Sequence, residues 1–340
     1  WLRTHNLHAF VFWTAEGLTP ERSGYPISQI LRNDILIQGV VTKDTHPPLY
    51  YLILHLTRSL FGLSDFAFRY PSVLFGVLLI PLLYQLGRRV GNRTVGFIAA
   101  LLATVNPLHV YYSQEARMYS LLALLVTGMS YVLWRAMEMT AERRPAPDDG
   151  ASFTRRSSVV TGRLLPYAVL AALALYTHYT VAFLIAVQAL FWAWVLWRAG
   201  LKWVILGAIG LGVVAAIPLI PYTLPRLLAG AEANYYAVSP LTMLLDVVRF
   251  FNLGLTVDHG QRLVVALNVL AFGLVVLGVW ASARMTNDEL RITNEERSLN
   301  SSLIIRPLFL LTWLLAVVFG LMVGSMLFKP MYQGVRHIMV

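Results

Sequence analysis

The stretch KDTHPPLYY, residues 43–51, gathers titratable side chains directly in front of an apolar segment. Lys43, Asp44 and His46 precede two prolines, and Tyr50 follows the prolines. Prolines suit the first turn of a helix, where their missing N–H groups cost little, and Asp44 can cap that helix. Capping alone would explain part of the pattern. The functional alternative is a polar rim over a cavity, where these side chains could bind a sugar or a phosphate.

A second cluster lies in YYSQEARMY, residues 111–119, where Glu115 and Arg117 stand at the start of an apolar segment that begins near Tyr119. Ionisable groups at membrane depth are costly and are functional candidates by default. A simple surface ion pair is the alternative, but residues two apart do not share a helix face. We therefore predict that Glu115 and Arg117 point into a polar cavity and that each has other partners.

A third cluster is YTHYT, residues 176–180, a tight turn between two long apolar runs. A lone turn histidine most often makes only local hydrogen bonds. Because His178 and Tyr179 stand among further tyrosine and threonine side chains, we also consider a role for them in lining the cavity.

Three more charged residues are weaker candidates. Glu16 is an isolated acid in the aromatic stretch FWTAEGLT, and on its own it indicates little. Lys329 and Arg336 follow the last apolar run. They either flank a membrane helix or supply cations that hold a phosphate.

The composition says which elements must position these residues. The chain has 340 residues, of which 57% are hydrophobic and 13% charged, and its mean hydropathy is +0.63. Soluble domains carry roughly 25% charged residues. Since a backbone in lipid must satisfy its own hydrogen bonds, we predict an all-α, polytopic integral membrane protein that contacts the lipid bilayer. The absence of cysteine excludes a disulfide framework.

Apolar segments that could form membrane helices recur along the chain. They cover residues 69–86, 94–106, 118–134, 164–178, 180–197, 203–221, 263–283 and 307–328. The net charge of +10 does not indicate nucleic-acid binding, because the arginines cluster in the loops between these segments. By the positive-inside rule those loops are cytoplasmic. All the candidate clusters then fall on the extracytoplasmic face.

This topology works only if residues 47–62 do not cross the bilayer. They would make a helix of roughly 24 Å against a hydrocarbon core of about 30 Å. Residues 26–41 are predicted to form an amphipathic helix on the membrane surface. We expect one transmembrane domain over 1–340, with an extracytoplasmic loop at 1–68 and a helix bundle at 69–340. The sequence is expected to be a fragment of a longer chain.

Four stretches resemble a known family: DTHPPLYYLILHL, the run from FAFRYPS to ATVNP, YYSQEARMYSLL and YTHYT. In their order and spacing they resemble bacterial membrane glycosyltransferases of the dolichyl-phosphate-mannose protein mannosyltransferase-like and aminoarabinose-transferase-like group. The resemblance is strong over about residues 1–200 and weaker beyond. It implies the so-called GT-C fold, with membrane-parallel helices in the first extracytoplasmic loop.

The resemblance also implies a reaction and a location. The donor would be a sugar on a polyprenyl phosphate, and the acceptor a protein, lipid or cell-envelope glycan outside the bacterial inner membrane. Transfer would need cations near the lipid phosphate, for which Lys43, Arg117, Lys329 and Arg336 are candidates. A carboxylate would serve as general base. A divalent metal is the one cofactor considered, with Glu115, Asp44 and His46 as its candidate ligands.

The sequence departs from the family in the first loop. An Asp-Glu pair usually follows an aromatic residue there, and the aspartate position is occupied by Ala15. Three explanations remain open: Glu16 is the base, Asp44 or Glu115 is the base, or the protein is inactive. A degenerate relative or a transporter of lipid-linked sugars is therefore the alternative function. Restoring the acid with Ala15→Asp is expected to raise activity if the loop is otherwise intact.

Overall fold

The computed structural model describes the first two fifths of the chain almost completely and the rest in parts. The described residues are 1–5, 7, 12, 14–37, 40–43, 46–142, 162, 165–198, 217, 220, 239–255 and 257–292. Two of the predicted apolar segments, 203–221 and 307–328, fall wholly or almost wholly outside these ranges. Asp44, Lys329 and Arg336 also lie outside the described residues.

The described N-terminal region combines short helices with a β-hairpin. Helix α1 covers Thr14–Ser23 and α2 covers Ile27–Arg32. Strands β1, Asp34–Ile37, and β2, Val40–Lys43, pair antiparallel, with Asp34 opposite Lys43. The prediction of one helix over 26–41 is therefore correct only for its first half.

Helix α2 ends where the backbone of Asn33 turns into the left-handed region. Asn33 has φ 61°, and its N–H donates to the carbonyls of Gln29 and Ile30. Asparagine tolerates this conformation better than most residues. The chain beyond it, rich in isoleucine, valine and threonine, then favours extended structure.

Helix α3 covers Leu49–Phe61 and begins directly after the two prolines. It ends at Gly62, whose φ of 82° is accessible mainly to glycine. Its buried residues Tyr50, Tyr51, Leu54 and Thr57 recur at helical spacing and form one face, which packs on α1 and on the next helix. The helix is 13 residues long. That it does not cross the bilayer stays a prediction.

Helices α4, Asp65–Val90, and α5, Arg93–Val105, form an antiparallel pair. Ser64 caps α4 by accepting a hydrogen bond from the Ala67 N–H at 3.2 Å. The two helices approach closely at Gly96, where an added Cβ would lie 2.6 Å from the Tyr84 carbonyl oxygen. Such close contacts between small residues are typical of membrane helix pairs.

Helix α6, Pro107–Ser113, follows α5 after a bend of 58°. Helix α7, Tyr119–Glu142, comes after a short irregular segment that carries Glu115 and Arg117. Among the described residues, α4 and the Tyr119–Glu138 part of α7 are long and apolar enough to cross a membrane. If the bent pair α5–α6 is counted as one span, the described residues contain three such spans.

The remaining described helices are α8, Leu165–Leu175, α9, Val181–Arg198, α10, Pro240–Leu253, and α11, Arg262–Ile292. Helix α10 was not predicted, since it falls between the predicted apolar segments 203–221 and 263–283. Ser239 and Pro240 provide its cap and first turn. The described part of the chain is thus mostly helical, as predicted, with one hairpin as the exception.

The core lies where α3, α6, α7 and α9 meet. Its side chains include Leu54, Leu108, Leu122 and Leu184, all with no exposed surface. This core adjoins the three polar clusters, because it includes Tyr50 from the first cluster, Tyr119 from the second and Val181 beside the third. The packing of apolar side chains therefore sets the positions of the polar ones.

Candidate active site

The three polar clusters predicted from the sequence meet in space. Leu49 has the first N–H after the two prolines, and it donates to the Tyr176 carbonyl at 3.1 Å. The rings of His46 and His178 lie 6.0 Å apart, centroid to centroid, in an edge-on arrangement. The ring of Tyr119 lies 6.3 Å from that of His178. The start of α3, the start of α7 and the α8–α9 turn therefore converge.

Arg117 is the cation at this convergence, and only 3% of it is exposed. Its Nη2 lies 3.3 Å from Nε2 of His46, and its Nη1 lies 3.5 Å from Oγ1 of Thr19 in α1. Its carbonyl oxygen accepts a hydrogen bond from Oγ of Ser72 at 3.0 Å. Arg117 thus connects α1, the segment before α3, and α4.

The two histidines have assignable hydrogen-bonding roles. Since a guanidinium can only donate, Nε2 of His46 accepts from Arg117, which places the His46 proton on Nδ1. Nδ1 of His178 accepts from the Thr180 N–H at 3.3 Å, which places its proton on Nε2. His46 is half-buried and His178 is buried at 6% exposure. His46 is therefore the more accessible of the two.

Tyr50 links α3 to α4 beneath Arg117. Its hydroxyl lies 2.7 Å from Oγ of Ser72, the same hydroxyl that contacts the Arg117 carbonyl. Complete burial raises the pKa of the Tyr50 phenol well above its usual range, so the phenol stays neutral. Tyr50 thus supports the backbone at Arg117 as a neutral hydrogen-bonding group.

Glu16 does not face an open cavity. Its two oxygens form a bidentate pair with Arg69 of α4, at 2.9 Å from Nε and 2.9 Å from Nη2. Its Oε1 also accepts the Ala116 N–H at 2.7 Å. Glu16 and Arg69 are 2% and 3% exposed. These contacts connect α1 and α4 to Ala116, the residue between Glu115 and Arg117.

Glu115 is 5% exposed and interacts electrostatically with Arg69 and with the Tyr111 phenol. It flanks Ala116, the residue whose N–H is held by Glu16. Glu115 therefore belongs to the same polar interior as Arg117.

The remaining predicted site residues vary in how far the structure describes them. Tyr119 is buried against Tyr112 at 4.7 Å between ring centroids, and Tyr179 is half-buried in the α8–α9 turn. Lys43 ends β2, three residues before His46. Among the described residues no group of three His, Asp or Glu side chains is placed to hold a metal. Asp44, one of the three candidate metal ligands, lies outside these residues.

Sequence reasoning missed three residues that support the site. Arg69 was read only as the start of an apolar segment, although a charge inside such a segment is itself a functional signal. Ser72 and Thr19 are single hydroxyl residues with no distinguishing pattern. Their roles depend on contacts across 45 and 98 residues of sequence, which a local pattern does not encode.

Comparison with known proteins supports the resemblance read from the sequence. Residues 45–145 match the family described as dolichyl-phosphate-mannose-protein mannosyltransferase. This range contains the second polar cluster and most of the first. No curated protein sequence matches the chain significantly.

Solved structures with the same fold include two of ArnT from Cupriavidus metallidurans. The apo structure has a TM-score of 0.55 at 14% identity and covers 95% of this chain and 57% of that one. The structure bound to undecaprenyl phosphate has a TM-score of 0.57 at 15% identity and covers 100% of this chain and 56% of that one. The chain therefore has an ArnT-like fold and spans little more than half the length of the ArnT chain.

Proposed function

We propose that the protein is a glycosyltransferase that moves a sugar from a polyprenyl-phosphate donor to an extracytoplasmic acceptor. The observation that carries the proposal is the buried Arg117 with His46 beside it, 3.3 Å away, where three segments of the chain converge. The match of residues 45–145 to the mannosyltransferase family and the ArnT-like fold support the same class of reaction.

The reaction breaks the bond between the anomeric carbon and a phosphate oxygen. The leaving polyprenyl phosphate gains negative charge as this bond breaks, so a fixed cation near it stabilises the transition state. Arg117 provides a planar set of donors suited to phosphate oxygens. His46, half-buried and 3.3 Å from Arg117, would contact the same phosphate.

The acceptor hydroxyl attacks the anomeric carbon from the opposite face and gives up its proton to a carboxylate, with inversion. Of the three acids considered, Glu16 is the least suited, because both its oxygens are bound by Arg69 and one also holds the Ala116 N–H. Glu115 and Asp44 remain as the candidates. Glu115 is the better supported, since it lies next to the residues that contact Glu16 and His46.

We further propose that the active site faces the extracytoplasmic side of the bacterial inner membrane. The positive-inside distribution of arginines supports this orientation. Undecaprenyl phosphate, which is bound in one of the similar ArnT structures, is a suitable probe for the lipid end of the donor. Lys43, Lys329 and Arg336 stay candidates for additional phosphate contacts, and Asp44 for the base.

The test measures release of undecaprenyl phosphate by the purified protein in detergent. Undecaprenyl phosphate linked to mannose or to aminoarabinose serves as donor, with a cell-envelope extract as the acceptor source. Lipid release and sugar incorporation into the extract are both followed. Arg117→Gln is expected to lower kcat/KM by roughly 10- to 100-fold, through the loss of charge-assisted hydrogen bonds. Arg93→Gln, which alters an exposed arginine at the start of α5, is the matched control and should behave as wild type.

Two further variants separate the candidate bases. Replacing the true base, by Glu115→Gln or Asp44→Asn, is expected to lower kcat by about 10²- to 10⁴-fold. Equal activity of wild type and Arg117→Gln would contradict the site. Movement of the donor between leaflets of a vesicle without sugar transfer would instead favour a transporter of lipid-linked sugars. That is the alternative function, because Ala15 stands where the family usually has an aspartate.

A further inference from the structure

Arg3 is a buried arginine far from the predicted clusters in sequence. It is 4% exposed and lies where α4, α5 and α6 meet. Its Nη2 donates to the Ala103 carbonyl at 2.6 Å, and its Nη1 donates to the His109 carbonyl at 2.7 Å and also contacts Oγ of Ser113. A buried cation is tolerated only when its N–H groups find such partners.

The Ala103 carbonyl needs this donor because of Pro107. In a continuous helix the carbonyl of residue 103 would accept the N–H of residue 107, and proline has none. Helix α5 accordingly ends at Val105, and α6 starts at Pro107 after the 58° bend. Arg3 supplies the hydrogen bond that Pro107 cannot, and it simultaneously holds a carbonyl in the first turn of α6.

The N-terminal segment also holds the other end of α6. Nε2 of Gln114, the residue after α6, donates to the carbonyls of Leu2 and His5 at 3.0 and 3.1 Å. On the α4 side, Gly76 leaves the space that this arrangement occupies. A Cβ there would lie 2.2 Å from Oγ of Ser113 and 3.3 Å from Nη1 of Arg3. Residues 1–5 therefore form hydrogen bonds at both ends of α6.

We propose that Arg3 is a positioning residue for sugar transfer. It fixes the α5–α6 bend and thereby sets the direction in which the following segment presents Glu115 and Arg117. This inference rests on the proposed function, because Arg3 contacts none of the groups that we place at the reacting atoms. It acts only through its contacts with α5 and α6.

The kinetic test compares Arg3→Met, Arg3→Lys, Pro107→Ala and the double variant Arg3→Met/Pro107→Ala. Arg3→Met is expected to lower kcat for lipid release by roughly 10- to 100-fold, as a displaced catalytic group does, with a smaller change in donor KM. Arg3→Lys keeps the charge but not the fork that reaches both carbonyls, so it should recover only part of kcat. Arg93→Met is the matched control and should retain wild-type kcat.

The double variant separates positioning from simple stability. The Pro107→Ala substitution restores an N–H for the Ala103 carbonyl, so the melting temperature lost in Arg3→Met should largely return. The bend would no longer be fixed, so kcat should stay low. Recovery of both melting temperature and kcat in the double variant would overturn the proposal, as would a wild-type kcat in Arg3→Met.

A second measurement does not depend on activity. The chain has no cysteine, so cysteines introduced at Phe97 of α5 and Val110 of α6 can carry a pair of spin labels without background. Arg3→Met is expected to shift or broaden the distance distribution across the bend, and Arg93→Met is expected to leave it unchanged. An unchanged distribution in Arg3→Met would overturn the inference. Absence of lipid release by the wild type, with the distribution shifted in Arg3→Met, would refute the proposed function and leave the role of Arg3 in fixing the bend intact.

Discussion

At the scale of single residues, the surroundings of each acid limit what it can do. Glu16 accepts hydrogen bonds from Arg69 and from the Ala116 N–H. A substrate hydroxyl would have to displace one of these donors before Glu16 could take its proton. Glu115 stands beside Arg69 and Tyr111 instead. Glu16 accepts the Ala116 N–H, and Glu115 is the residue directly before Ala116. We propose different tasks for the two acids: Glu16 holds the loop, and Glu115 serves the reaction.

The first prediction concerns the Glu16–Arg69 pair. Arg69→Met leaves the Glu16 carboxylate buried without its cation, and it is expected to lower the free energy of unfolding by about 3–5 kcal/mol. The double variant Glu16→Gln/Arg69→Met should lose less than the sum of the two single variants, because the Glu16 charge is removed together with its partner. Denaturant unfolding of the purified protein in detergent measures all three.

The chain offers a matched control for that pair. Arg89 and Glu138 form an ion pair at 3.3 Å, with side chains 32% and 24% exposed. Because water solvates this pair, Arg89→Met is expected to cost less than about 1 kcal/mol. A loss for Arg69→Met as small as that for Arg89→Met would contradict the role given to Glu16.

The second prediction uses the Tyr50 phenol. Its pKa is raised by burial, so the folded protein keeps it neutral while the unfolded chain ionises near its ordinary value of 10.0. The stabilisation that Tyr50 provides is therefore fully present below about pH 10 and is lost as pH rises further. The melting temperature of wild type minus that of Tyr50→Phe should be constant from about pH 7 to 9 and should shrink above about pH 10. A difference that grows with pH would show that the phenol ionises in the fold.

At the scale of elements, the long apolar runs and the short helix near 47–62 were predictable, and the β-hairpin was not. The runs beginning near 69, 94, 118 and 180 became α4, α5, α7 and α9, because burial in a low-dielectric surrounding requires helices there. The stretch 26–41 has apolar spacing compatible with helix and strand. Its second half is a hairpin because Asp34–Ile37 pairs with Val40–Lys43.

The site shows the same division. His46, Glu115, Arg117 and His178 were predictable as candidates, because each places a polar side chain at the edge of an apolar run. Their convergence is consistent with the expectation that all lie on one face. The contact between Arg69 and Glu16 spans 53 residues and depends on how α1 packs against α4. Single-sequence patterns carry no information about such a pairing.

The third prediction tests the junction that separates α2 from the hairpin. Asn33 is 3% exposed and has φ 61°. Both Asn33→Gly and Asn33→Ala remove the buried side chain, but only glycine adopts this conformation without steric cost. Asn33→Ala should therefore be about 1 kcal/mol less stable than Asn33→Gly, since the alanine Cβ is disfavoured there. Thermal unfolding compares the two, and a larger loss for glycine than for alanine would contradict the assignment of the left-handed cap.

At the scale of the whole molecule, the same packing that assembles the site constrains its orientation in the membrane. Residues 1–5 contact the α5–α6 bend, α1 contacts the start of α7, and α10 contacts α6 through Asn106 and the Phe251 carbonyl at 2.6 Å. These elements therefore gather at one end of α4. The turn at Asn92 lies at the other end, after 26 residues of helix. One end of α4 thus carries all the described chemistry and the other carries the arginine-rich turn.

The last prediction follows from this polarity. Since the chain has no cysteine, single cysteines at Leu63, Asn92 and Asp258 report the side of the membrane without background. Leu63 is 66% exposed just before α4, and Asp258 lies at the surface of the α10–α11 turn. If α3 does not cross and the site faces outward, a membrane-impermeant maleimide should label positions 63 and 258 on intact spheroplasts, and position 92 only after permeabilisation. Labelling of position 63 only after permeabilisation would mean that α3 crosses the bilayer or that the site faces the cytoplasm. Positions 63 and 258 lie on the same side in either case, so a fourth cysteine at Ile27, 53% exposed and before α3, distinguishes the two. An inverted protein would protect position 27 together with 63, whereas a crossing α3 would leave position 27 labelled on intact spheroplasts.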